Sequence, residues 1–291
     1  MHALHLRLPK HFVLEERLEH YARAIEPTPR SWRGCWAEAC YPLGAGPRSA
    51  PGRFKRVHVD LGCGKGSFLV EAAQHAPDVL FVGIDNEPIC IAYAAQAICE
   101  APISNAVVVP GSANHIKAYF DHEVSSIYLN FPTPLPKARD AADRLTYYNR
   151  LLDYHEALRE QGRIVFKTDS LPLWHWSLDQ FRQPNCPFDI LWASKDTRHE
   201  HPGDPETGYE RKLTAKGACV YGICAQAKPY SALSHMPQPY AHPKYELNCH
   251  RSLVDYLPDD LSSLGYIPHG MEATVTNLAN YRAKNRESPH A

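Results

Sequence analysis

Between residues 56 and 227, short runs of apolar residues alternate with longer segments whose apolar positions recur every three or four residues. RVHVDL (56–61), VLFVGI (79–84), NAVVVP (105–110), SSIYLNF (125–131), RIVFKT (163–168), FDILWAS (188–194) and ACVYGICA (218–225) have the length and apolar content of buried strands. SFLVEAAQHA (67–76), EPICIAYAAQAICE (87–100), TYYNRLLDYHEALRE (146–160) and PLWHWSLDQF (172–181) show helical spacing, and Pro77 stops the first of them. Near-continuous apolar strands alternating with helices predict an α/β domain with a mostly parallel sheet covered on both faces. Residues 1–55, rich in Pro, Arg and Trp, are expected to pack on that core as an N-terminal segment. From residue 228 the pattern dissolves into Pro-, His- and Tyr-rich sequence, so 228–291 reads as an appendage that ends in a helical stretch, ATVTNLANYRAKN.

Composition narrows the picture. A chain of 291 residues with 44% apolar content can bury one large core. No run approaches the roughly 20 apolar residues of a membrane span, and MHALHLRLPKHF lacks a signal-peptide core, so a soluble cytoplasmic protein is expected. The nine cysteines are odd in number and scattered, and Cys35/Cys40 and Cys219/Cys224 have no His partners at zinc-like spacing. Neither a disulfide framework nor a metal site is expected. A net charge of −1 provides no global basic field, which makes any nucleic-acid contact a local one.

The first crossover carries the first chemical signal. Asp60-Leu61-Gly62-Cys63-Gly64-Lys65-Gly66 is a turn in which glycines allow φ > 0 and leave room for a ligand against the backbone. Asp85, in GIDNE at the end of the next strand, stands where both ribose hydroxyls of a nucleoside can be bound. By itself this pattern also fits a dinucleotide-binding dehydrogenase. Asp60 ahead of the glycines and the close spacing of Gly64 and Gly66 resemble instead the S-adenosylmethionine site of Rossmann-like methyltransferases, in which the acid faces the cofactor's ammonium group.

A second signal lies at the end of the fourth strand. Asn130-Phe131 runs into Pro132, Pro134 and Pro136, each of which fixes φ and pushes its predecessor out of the helical region. An extended, rigid loop is predicted there. The stretch YLNFPTPLPKARDAADRLTY (128–147) resembles the signature loop of the bacterial tRNA (guanine-N7)-methyltransferases, approximately N-F-P-D-P-W-P-K-K-R-H followed by a basic run. DLGCGKGSFL, GIDNE, FKTD (166–169) and TGYERKLTAKG (207–217) are similar to further family stretches, in the same order, over roughly residues 50–225.

The resemblance implies a class I methyltransferase of Rossmann-like fold with a seven-stranded sheet, S-adenosylmethionine as methyl donor and tRNA as partner. It implies cofactor contacts from Asp60, Gly62, Gly64, Gly66, Asp85, Asn86 and Asn130, and from Ser112-Ala113, which replace an acid-alanine pair beside adenine. It implies guanine-edge or RNA contacts from Lys137, Asp169, Thr207, Tyr209 and Glu210. Thr133 takes the position of the loop aspartate, Leu135 that of the tryptophan, and the basic run is diluted to Ala138-Arg139-Asp140-Ala141-Ala142-Asp143-Arg144. Asp169 can also be read as a helix N-cap and Glu210 as a solvated helix charge. Two other functional readings stay open on the residues: an exocyclic-amine methyltransferase using NFPTP, and a cofactor-binding but catalytically silent RNA-binding subunit.

Overall fold

The computed structural model describes residues 12–44, 46–203, 206–233 and 249–287. The opening of the chain, where a signal peptide is not expected, and much of the Pro- and His-rich stretch after 228 lie outside the described residues.

Seven strands form one sheet: β1 (Arg56–Leu61), β2 (Val79–Asp85), β3 (Ala106–Pro110), β4 (Val124–Asn130), β5 (Leu158–Thr168), β6 (Phe188–Ser194) and β7 (Tyr221–Ala227). Their order is β3-β2-β1-β4-β5-β7-β6. The first five run parallel, and β7 enters antiparallel between β5 and β6. This is the Rossmann-like α/β architecture, and the order reverses between β1 and β4, where such sheets open a ligand crevice.

The helices, in chain order, are α1 (Leu14–His20), α2 (Ser67–His75), α3 (Pro88–Glu100), α4 (Ile116–Tyr119), α5 (Tyr148–Ala157), α6 (Leu171–Phe181), α7 (Thr197–Glu200), α8 (Gly208–Thr214), α9 (Tyr230–Leu233) and α10 (Glu272–Glu287). In α3, Ile91, Ala94, Ala95 and Ile98 bury one stripe against the sheet, as their spacing requires. Glu87 and Pro88 start that helix, the carboxylate capping and the ring fixing the first turn. α6 is apolar on most of its surface, with Leu173, Trp174, Trp176 and Phe181 all buried.

Several boundaries differ from the sequence pattern, the helix after the proline loop and the last strand among them. The helix expected to reach residue 160 ends at Ala157, because Leu158 already pairs with Val124 on β4. The ladder then resumes at Ser126 and Arg163 after an irregularity that absorbs the extra residues. β7 starts at Tyr221 rather than 218, since the Val220 carbonyl is engaged by the Thr197 N–H at 2.9 Å.

The described part of the N-terminal segment covers the β3 edge, with Ile25 bridging Val108 and Tyr41 bridging Asn105. Buried Glu26 anchors it, accepting from Trp32 Nε1 at 2.9 Å, from Arg48 at 2.9 Å and from Tyr41. At the other end of the chain, Leu253, Met271 and Val275 pack into the main core. Among the described residues no helix is long and apolar enough to cross a membrane, and no cluster of three or more His, Cys, Asp or Glu side chains could hold a metal ion.

Candidate active site

The β1–α2 turn is wound tightly, with Gly62, Gly64 and Gly66 at φ of 75°, 54° and 75°. Gly66 serves packing as well as conformation: a Cβ there would fall 2.9 Å from the Ala94 Cβ and 3.0 Å from its Cα. A Cβ on Gly64 would meet nothing within 4 Å, so only its backbone angle demands glycine and the space beside it is open. Asp85 ties the turn down. Its carboxylate accepts from the Gly64 and Glu87 N–H groups, both at 2.9 Å, and its carbonyl accepts from Gly111 N at 2.9 Å. That last bond brings the β3 exit alongside, where half-buried Ser112 accepts from Asn114 N at 3.3 Å and is followed by Ala113. Asn86 lies exposed next to Asp85.

Asp60, 2% exposed at the end of β1, accepts from Asn130 Nδ2 across to β4 at 3.2 Å. Burial pushes its carboxyl up to about 7; the Asn130 bond opposes this and the Asp85 charge adds to it. Burial also raises Asp85, against the backbone N–H groups that favour its ionised form. One carboxylate at the end of β1 and one at the end of β2 thus flank the glycine turn in an environment that disfavours negative charge. A cation placed between them would relieve both.

The proline loop is not the extended connection that its three prolines predict. Phe131 and Leu135, each preceding a proline, have φ of 50°. Left-handed backbone at non-glycine residues persists only where the surroundings enforce it. Phe131 N is held by the Lys167 carbonyl at 2.8 Å, and buried Arg144 donates to the Leu135 carbonyl through Nε and Nη2 and to the Lys137 carbonyl through Nη2. Arg144 therefore braces the loop rather than extending a basic run to solvent. Thr133 and Lys137 are exposed on the loop.

Past β5, the N-cap of α6 is Ser170, whose Oγ accepts from Leu173 N at 3.3 Å. Asp169 is thereby released from capping. Its Oδ2 accepts from the Tyr266 hydroxyl at 3.0 Å, and burial raises its carboxyl against that bond. Thr207 and Glu210 form a reciprocal capping box on α8: Glu210 N donates to Thr207 Oγ1 at 2.9 Å, and Thr207 N donates to Glu210 Oε2 at 3.4 Å. Glu210 is 1% exposed, not solvated, and faces Lys167 Nζ and Arg198 Nη1, each at 3.7 Å. Half-exposed Tyr209 sets its ring edge-on to Phe131 at 5.4 Å. Asp169 and Glu210 line different cavities, the former with Tyr221 and Tyr266, the latter with Lys167 and Arg198.

Residues 55–223 match a protein-family profile described as "Putative methyltransferase". The chain is 35% identical over 173 residues to a tRNA (guanine-N(7)-)-methyltransferase of Limosilactobacillus reuteri, covering 59% of this chain and 81% of that protein. It is 30% identical over 224 residues to the enzyme of the same name from Streptococcus thermophilus, covering 77% of this chain and 100% of that protein. The chain belongs to the tRNA (guanine-N7)-methyltransferase family. It is a methyltransferase.

Within this methyltransferase hydrogen bonds link the glycine turn to Asp85, Asp85 to Gly111 just ahead of Ser112-Ala113, and Asp60 to Asn130. The donor set fits a cationic nucleoside: carboxylates near a positive centre and for hydroxyls, with open space where a Cβ is missing. The sequence gives no buried role to Lys167, Arg144 or Tyr266. Lys167 sits inside the FKTD stretch, which could have pointed to it; Arg144, at the end of the diluted basic run, and Tyr266 lie in stretches whose pattern says nothing about a buried role.

Proposed function

We propose that the chain transfers the methyl group of S-adenosylmethionine to N7 of a guanine in tRNA, in the cytoplasm, with residues 56–227 as the catalytic domain. The observation that carries this reading is the placement of buried Asp60 and half-buried Asp85 at the glycine turn, with both carboxyls held above their ordinary range. In this reading Asp60 faces the cofactor's ammonium, Asp85 takes the ribose hydroxyls, Gly62 and Gly64 lie against the adenosine, and Asn86, Ser112 and Ala113 flank the adenine. Asn130 orients Asp60 through its 3.2 Å bond.

When bound, the sulfonium supplies an electrophilic methyl group. Guanine N7 carries an in-plane lone pair and no proton, so the chain needs no general base for the transfer. Its task is alignment and exclusion of water. Asp169 accepts from guanine N1–H and the 2-amino group, which are donors suited to a carboxylate. Phe131 and Tyr209 form an aromatic edge for the base. The Glu210 carboxylate is already engaged by Lys167, Arg198 and Thr207, so Glu210 and Thr207 act by holding α8, and with it Tyr209, in place. Exposed Lys137 neutralises a phosphate. Thr133, neutral on the braced loop, leaves the reacting centre without the family's loop carboxylate.

The test is incubation of the purified protein with unmodified tRNA and labelled S-adenosylmethionine, followed by nucleoside mass spectrometry. Label in 7-methylguanosine is expected. Cofactor binding without transfer to any tRNA would overturn the assignment in favour of a silent RNA-binding subunit.

A further inference from the structure

The described C-terminal residues 249–287 lie beyond the stretch that matches the family profile, yet they are moored to the machinery at several points. Leu253 N and Ser252 Oγ both donate to the Pro136 carbonyl, at 2.9 and 3.0 Å. Arg144, which braces the proline loop, also donates to the Arg251 carbonyl at 3.0 Å. The Tyr256 hydroxyl donates to Asp179 on α6 at 2.6 Å. Leu253 and Met271 are fully buried in the main core. Gly270 abuts the proline loop, since a Cβ there would lie 3.5 Å from Pro134 Cδ.

This mooring creates a cleft. One side is formed by the exits of β5 and the start of β7, with Asp169, Leu171 and Tyr221; the other by Leu264, Tyr266 and Met271. Tyr266 reaches across it to Asp169. The Tyr266 hydroxyl is pushed well above its ordinary range, by burial first and by the Asp169 charge next, so it stays a donor at any working pH. An ionised carboxylate has about four acceptor positions. Tyr266 occupies one, which leaves capacity for two donors from a ligand.

We propose that the C-terminal segment around residues 263–272 is the second wall of the guanine pocket, and that Tyr266 is a positioning residue that aims the Asp169 carboxylate at the guanine N1–H and 2-amino groups. The inference rests on the proposed function and assigns to this chain a specificity element outside the family's matched core. A base that lacks the 2-amino donor leaves one acceptor of Asp169 unpaired, so the pocket selects guanine over hypoxanthine. The groups facing Asp169 are Tyr266, His269 and Glu272 from the C-terminal segment, Tyr209 from α8 and Tyr221 from β7.

The experiment uses the full chain and its Tyr266→Phe and Asp169→Asn variants. Equilibrium dialysis against guanosine and inosine monophosphates reads the pocket directly, and steady-state methylation of unmodified tRNA from pH 5 to 9 reads its use. Wild type should hold the guanosine nucleotide about tenfold more tightly than the inosine one, and both variants should lose that preference. Tyr266→Phe should raise KM for tRNA about tenfold with kcat little changed, and move the acid limb to higher pH because the ionised carboxylate has lost a donor. The move should persist in a His269→Gln background, which separates Asp169 from the neighbouring imidazole. Cofactor affinity should stay the same. An unchanged nucleotide preference and acid limb in Tyr266→Phe would overturn the proposal, as would a faster enzyme, since the segment would then obstruct the pocket. If wild type methylates no tRNA, the function assignment fails while the dialysis still decides the wall.

Discussion

The guanidinium of Arg144 lies under the proline loop and donates twice to the Leu135 carbonyl, at 3.0 and 2.8 Å, while stacking 4.4 Å over Trp176. Leu135 is one of the two loop residues in left-handed backbone, so the arginine holds the conformation that the prolines by themselves do not select. Burial lowers the Arg144 guanidinium to about 10, a cost that its carbonyl bonds must offset.

Arg144→Lys keeps a charge but cannot reproduce the planar fork or the stacking. We expect about 2 kcal/mol of lost stability and slower methyl transfer, with cofactor affinity unchanged. Thermal unfolding and calorimetry check this; an unaltered melting temperature would remove the bracing role.

Asp60 sets a pH dependence. Its carboxyl is raised in the folded chain, so folding holds a proton that the unfolded chain releases near pH 4, and the residue's contribution to stability declines as pH rises from about 4 through 7. A cationic cofactor favours the ionised form, so S-adenosylmethionine should bind about tenfold more weakly at pH 6 than at pH 8. Asp60→Asn should flatten that profile, weaken binding at pH 8 and raise the melting temperature of the free protein there. A flat profile in wild type would sink the assignment.

Asp85→Ala removes the acceptor for the proposed ribose contacts and releases the Gly64 and Glu87 N–H groups. Cofactor affinity should fall by at least about tenfold, the value of a hydrogen bond to a charged group. Isothermal calorimetry with unchanged affinity would separate Asp85 from the ribose.

Thr133→Asp restores a carboxylate to the exposed loop position. The rate of tRNA methylation should rise about tenfold, as expected for one added charge-assisted interaction in the transition state. If the rate stays constant in single-turnover measurements, the loop position takes no part in the reaction.

Glu210→Ala removes the capping box and the carboxylate that faces Lys167 Nζ and Arg198 Nη1, each at 3.7 Å. Losing a buried cap together with a charged partner costs roughly 1–3 kcal/mol. Denaturant unfolding should register that loss, and Glu210→Gln should be milder because it can still accept from Thr207 N. Equal effects of the two variants would contradict the paired-charge account.

Most of the strand and helix pattern was legible because it depends on consecutive residues: VLFVGI is apolar throughout and forms β2, and Ile91, Ala94, Ala95 and Ile98 recur at helical spacing and face the sheet. The glycine turn was legible for the same reason, since φ > 0 at Gly62, Gly64 and Gly66 is a local demand. The role of FKTD was half legible. Its aspartate could equally have capped α6, and only the packed chain shows Ser170 in that role.

The order of residues along the chain was enough to establish the α/β alternation, the cofactor turn and the family, all of which rest on short-range spacing and backbone preference. It did not establish that Arg144 is a buried brace, that Glu210 faces Lys167, or that Tyr266 meets Asp169 across 97 positions of sequence. Those contacts form because the sheet stacks distant segments side by side and burial forces each polar group to find a partner, and no local pattern encodes which partner that is.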